Sequence, residues 1–75
     1  MSEIRTEYRF IRFEPTPGGG PKSYDCISRE GEILGSTYFY SDWRKQVFEP
    51  SGTGLVFDSQ CLCDILNFMA QLKGR

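Results

Sequence analysis

The chain has no histidine. Histidine is the side chain most often used for general acid–base work near neutral pH, so Ser-His and Cys-His pairings are excluded outright. Carboxylates can do such work in pairs, yet here Asp and Glu are scattered with no two placed for one pocket. The expectation is a protein that is not an enzyme and uses no cofactor. Charge of one sign is missing as well: nine Lys and Arg face ten Asp and Glu, for a net charge of −1. Nucleic-acid modules usually carry a basic excess or stripe, so a duplex DNA partner is not expected. No apolar run approaches the ~18–20 residues of a membrane span. Met1 to Arg9 is polar and of mixed charge, unlike a secretory leader. Cysteine is scarce and odd in number, at three residues, whereas a small disulfide scaffold more often has four or six. These absences predict a cytoplasmic chain with reduced thiols and no membrane partner.

What the sequence has is rings. Six Phe, four Tyr and one Trp stand in 75 residues, which predict a single domain over residues 1–75. A chain this short buries only about 60% of the surface its unfolded form exposes. Each large ring buries ~150–250 Å², so aromatics are how so small a core gains area. A chain this rich in rings and this balanced in charge is not disordered.

Period-two alternation places the first predicted strand at residues 4–14, "IRTEYRFIRFE". Ile4, Thr6, Tyr8 and Phe10 share a face; then the phase slips to Ile11 and Phe13. The slip reads as a bulge, or as a second half covered on both faces. "PTPGGGPKS", residues 15–23, is a loop and the most flexible stretch expected. Further strands are predicted at residues 24–29, 32–40 and 43–49, with residues 55–57 as a fifth strand or an extended lead into the helix. Gly35 inside the third strand marks a bulge or a close approach by another element. The helix is predicted over residues 59–73. Asp58 or Ser59 caps its start, and Gly74 sits where a C-terminal cap falls. Cys61, Leu62, Ile65, Leu66, Phe68, Met69 and Leu72 form one broad apolar face, while Gln60, Asp64, Asn67 and Gln71 form the other. The predicted fold is α+β, a four- to five-stranded antiparallel β-meander with one C-terminal α-helix packed across one face.

Cys61 and Cys63 raise the question of a metal or redox pair. On a helix, residues two apart point about 200° away from each other, so these thiols cannot grip one ion together. Zinc also wants four ligands, and Cys26 lies on a strand, so no metal site is expected. Cys61 reads as a small core residue and Cys63 as semi-exposed. A Cys26–Cys61 disulfide stays open if the two lie on facing layers. Both helix cysteines sit near a helix N-terminus, which favours a thiolate. "GGGPKS", residues 18–23, resembles a phosphate-binding loop only loosely. Pro21 stands where a backbone N–H must cradle phosphate, and a strand follows instead of a helix.

"YFYSDWRK", residues 38–45, interleaves rings with cations. Interfaces favour Tyr, Trp and Arg, so Tyr38, Tyr40, Trp43 and Arg44 are the candidate binding residues. The alternative is that Tyr38, Phe39 and Trp43 build the core. From Gly31 to Leu72 the chain carries Gly31, Leu34-Gly35, Trp43-Arg44, Phe48-Glu49-Pro50 and Phe57. Cys61-Leu62, Asp64-Ile65 and Phe68 then follow. In this pattern it resembles a group of small phage and prophage proteins. The resemblance carries over no catalytic or binding residue. It implies a setting: a non-enzymatic accessory protein that binds a host or phage protein, as host-takeover and anti-defence (anti-CRISPR-like) proteins do. Two other readings remain. One is a single-stranded nucleic-acid binder using an aromatic and basic sheet face. The other is a homodimer that pairs the edge at residues 4–10 or closes over exposed rings.

Overall fold

Reversals at residues 9–10, 16–23, 29–32 and 41–44 fold the first two thirds of the chain back and forth on itself. The computed structural model describes residues 4–73. Among them are β1 (Ile11–Pro15), β2 (Tyr24–Ser28), β3 (Ile33–Tyr40), β4 (Lys45–Pro50) and α1 (Ser59–Lys73). The strands form one antiparallel sheet in the order β1-β2-β3-β4, with α1 across one face. The expected α+β meander is therefore the fold, with four strands. Gly74, the expected helix cap, lies outside the described residues.

Three sequence expectations give way, each for a physical reason. The first strand does not run through residues 4–14. Arg9-Phe10 turns the chain, and Tyr8 N–H donates to the Ile11 carbonyl at 2.8 Å while Phe13 N–H donates to the Thr6 carbonyl at 2.8 Å. The phase slip was a reversal, not a bulge: Tyr8, Ile11 and Phe13 all reach the core from the two arms. The fourth strand opens at Lys45 and not at Trp43, because residues 41–44 are all spent on the turn. Of the two readings open for residues 55–57 the strand does not form, and Phe57 packs against the core and meets Phe48 edge-on at 5.8 Å. The helix is narrower in its apolar contact than its sequence. Ile65, Phe68 and Leu72 are buried, but Leu62 and Leu66 stand 48% and 64% exposed. Asp64, expected on the polar side, is buried instead and accepts from the Gln60 amide at 3.0 Å.

The rest of the polar side has an occupant. The segment before β1 lies along it. Tyr8 Oη donates to Asn67 Oδ1 at 2.7 Å, and Gln71 both accepts from Arg5 N–H at 2.7 Å and donates to the Arg5 carbonyl at 2.9 Å. Gln71 thus uses up the Arg5 peptide groups that an incoming edge strand would pair.

The sheet's inner face follows from register. Phe13 pairs Cys26, Cys26 pairs Gly35 and Gly35 pairs Pro50; in the next row Tyr24 pairs Thr37 and Thr37 pairs Phe48. Phe68 drops into this surface. It stacks on Phe13 at 4.0 Å with planes 3° apart and takes the Tyr24 ring edge-on at 5.0 Å. Gly35 is needed for room. A Cβ there would sit 2.5 Å from the Glu49 carbonyl and 2.7 Å from the Phe48 ring. The register shift between Cys26 and Ile27 lies beside it, so Gly35 marks both a bulge and a close approach.

Phe68→Ala should cost about 3–5 kcal/mol in chemical denaturation, and Gly35→Ala about 1–3 kcal/mol because backbone must shift. Leu66→Ala, from the same helix but exposed, should stay within about 0.5 kcal/mol. Equal losses at Phe68 and Leu66 would contradict the placement of the helix.

Candidate binding surface

The β3–β4 hairpin tip is a four-residue turn, Ser41 to Arg44. Trp43 N–H donates to the Tyr40 carbonyl and Arg44 N–H to the Ser41 carbonyl, both at 3.2 Å. Arg44 closes the turn with φ at 54°, a left-handed conformation that glycine or asparagine adopts more cheaply. Strand alternation then parts the four sequence candidates. Tyr38 and Tyr40 are half-buried on the sheet face away from the helix, opposite in sense to the buried Thr37. Trp43 joins them by meeting the Tyr40 ring edge-on at 5.0 Å, and remains 65% exposed. Arg44 does not join them. It lines a groove beneath the hairpin, against α1. Tyr38 Oη donates to Glu49 Oε1 at 2.8 Å, and sharing this proton with a carboxylate pushes its phenol up.

The groove beneath the hairpin holds about 480 Å³. Its floor is Phe39 from β3 with Leu66, Met69 and Ala70 from α1. Its rim is cationic: Lys22 from the β1–β2 loop, Arg44 and Lys45 from the hairpin, Lys73 from the last helical turn; Lys45, paired across the hairpin with Tyr40, borders it from the outer face. No described lining residue is acidic, and the ion pair recorded among the described residues is elsewhere, Arg12 to Glu14 at 2.8 Å. Gln46 ties the groove together. Its amide donates to the Lys22 carbonyl at 2.8 Å and to Thr37 Oγ1 at 3.0 Å, locking the loop to the hairpin, while its Oε1 is buried without a partner. A second recess, about 590 Å³, lies between Gly20–Ser23 and Tyr38-Phe39. It shares Lys22 and Phe39 with the first, so the two run together at one end of the molecule.

Of the four sequence candidates, Arg44 lines the groove and Tyr38 the second recess; Lys22, Phe39, Leu66, Met69 and Lys73, which line the groove with Arg44, were not among the candidates. Phe39 is two residues from the buried Thr37, so strand alternation puts it on the inner face. It does lie on that face, but beyond the end of the helix's coverage, at 50% exposure.

The thiols are free, so the open Cys26–Cys61 disulfide does not form. Cys26 is fully buried, and burial holds its thiol up at about 12, against an ordinary 9.0. Cys61 is half-buried, and burial followed by the neighbouring Asp58 carboxylate raises it too. The helix N-terminus therefore does not lower the Cys61 thiol. Asp58 has taken the helix N-terminus: its Oδ1 accepts from Cys61 N–H at 2.8 Å, which holds its own carboxyl below the usual range. Cys63 is exposed. Among the described residues, no group of three or more Cys, Asp or Glu is arranged to hold a metal ion. No helix of theirs is long and apolar enough to cross a membrane.

Alkylation of the native protein followed by mass spectrometry should modify Cys63 first, Cys61 more slowly and Cys26 only on unfolding; rapid labelling of Cys26 would refute its burial. The neutral Cys26 thiol contributes fully to stability below pH 9, and that contribution is lost as the pH rises toward 12. The stability gap between the native chain and Cys26→Ala should thus shrink by up to about 1.4 kcal/mol per pH unit above 9 in denaturation curves.

No family model, no curated protein and no solved structure matches the chain.

Proposed function

We propose that the protein is not an enzyme and works by binding another protein, with the end of the molecule around the β3–β4 hairpin as its contact surface. One observation carries this reading: Trp43 and Phe39 stand 65% and 50% exposed on either side of one hairpin, beside Arg44. Large rings left in water next to an arginine are what binding hot spots are made of. Tyr38, Tyr40 and Trp43 supply the outer side of the contact, Arg44 the inner. The setting is a small phage accessory protein of the host-takeover or anti-defence kind, acting in the host cytoplasm on a host or phage protein. That setting rests on the sequence resemblance from Gly31 to Leu72.

A single-stranded nucleic-acid reading draws on the four cations around Phe39. It is weaker because Leu66 and Met69 give an aliphatic floor, whereas bases want ring faces on which to stack.

The tagged protein should capture one partner from host lysate, and that partner, once purified, should bind at least about tenfold more weakly to Trp43→Ala or Tyr38→Ala. Circular dichroism of each variant should match the native chain. Unchanged affinity, or a Trp43→Ala chain that unfolds, would return these rings to a purely structural role.

A further inference from the structure

We infer that the groove beneath the β3–β4 hairpin receives an acidic, amphipathic segment of the partner protein, carboxylates to the rim and apolar side chains to the floor. This rests on the binding reading and goes beyond it by naming the chemistry of what is bound.

The first ground is segregation of charge. The whole chain is at −1, yet Lys22, Arg44, Lys45 and Lys73 surround one opening with no described acidic residue among its lining. Four cations held around one concavity raise the local concentration of an anion and steer its approach. They come from three separate parts of the chain: the β1–β2 loop, the hairpin and the end of α1. Gln46 holds two of those parts together, so the constellation is a property of the fold and not of one charged run.

The second ground is the floor. Leu66 is 64% exposed although it sits on the helix that supplies Ile65 and Phe68 to the core. Met69, half-buried beside it, is an unbranched and adaptable side chain that can mould to an apolar guest. A purely anionic ligand would gain nothing from Leu66, Met69 and Phe39, and a purely apolar one nothing from the cations. A segment with Glu or Asp on one side and Leu-like residues on the other uses both. The opening, about 480 Å³, lies within the ~300–1,000 Å³ range of sites that take small ligands or a few side chains.

The test uses fluorescence anisotropy and methyl chemical-shift mapping on the full chain. The probe is a labelled, short, helix-forming peptide with Glu on one face and Leu on the other. Its controls are the same peptide with Lys for Glu, the same with Ala for Leu, and a short oligo-dT. We expect saturable binding of the Glu/Leu peptide, methyl shifts at Leu66 and Met69, and roughly tenfold or greater weakening in an Arg44→Glu, Lys45→Glu chain. Both control peptides should bind much more weakly. Because Lys45 belongs to β4, Lys22→Glu with Lys73→Glu is the second reversal, and circular dichroism checks each fold. Equal binding of the Lys peptide, absence of shifts at Leu66 and Met69, or indifference to both reversals would overturn the inference. Tighter binding of oligo-dT would overturn it in favour of nucleic acid. If a partner captured through Trp43 ignores the reversals, the groove assignment fails while the binding reading stands; if Trp43→Ala and Tyr38→Ala bind normally, the reading itself fails.

Discussion

The Phe68 ring is the contact on which the rest of this structure depends. It is fully buried, face to face with Phe13 and edge to face with Tyr24. A sheet of four short strands cannot bury an apolar face alone, and a fifteen-residue helix is marginal in water without a partner. Each therefore stabilises the other, and one ring from α1 engages β1 and β2 at once. In a chain that buries so little of its surface, contacts this central cannot be shared among many residues.

Fixing Phe68 settles what the other sides of α1 can do. One side, with Asn67 and Gln71, is held by the segment ahead of β1 through hydrogen bonds to Tyr8 and Arg5. The Arg5 guanidinium sits 4.2 Å from the Tyr8 ring centre, so the same short segment adds a cation–π contact. The remaining side carries Leu62 and Leu66 into water and Met69 half-way. The groove is thus a remainder, in that α1 spans the inner face from Phe13 toward Phe48 but leaves Phe39 uncovered at the hairpin end.

The layout was legible where local chemistry and pattern agree. The helix boundaries at Ser59 and Lys73 follow from an Asp58 cap and a sustained 3.6-residue period. β2 and β3 follow from strand patterning on either side of Gly31, which takes φ of 92°, whereas the start of β4 does not, since Trp43 and Arg44 go to the turn. The turn at Arg9-Phe10 was not legible, since neither residue is a turn former and only the phase slip betrayed it. Nor was Leu66's exposure. Pattern says that a leucine lies on a helix's apolar side but not how far the sheet beneath extends. The cationic rim was invisible for a related reason. Lys22, Arg44 and Lys73 are spread over fifty residues, and only the folded topology brings them to one opening.

Arg44 joins the local geometry of the hairpin to distant parts of the fold. The left-handed backbone at a non-glycine residue costs on the order of 1 kcal/mol, and here it lets a four-residue turn close with Arg44 lining the groove against α1. A more extended Arg44 would alter the exit of β4 and with it the pairing of Tyr40 with Lys45. The same kink therefore does two things. It registers the hairpin, whose Gln46 then clamps the β1–β2 loop, and it separates Tyr40 and Trp43 on the outer side of the tip from the groove that Arg44 and Phe39 line on the inner side. A surface with two chemically different sides, built on one rigid hairpin, can grip a partner at two points that differ in kind. Specificity can then reside in satisfying both points together rather than in the strength of either.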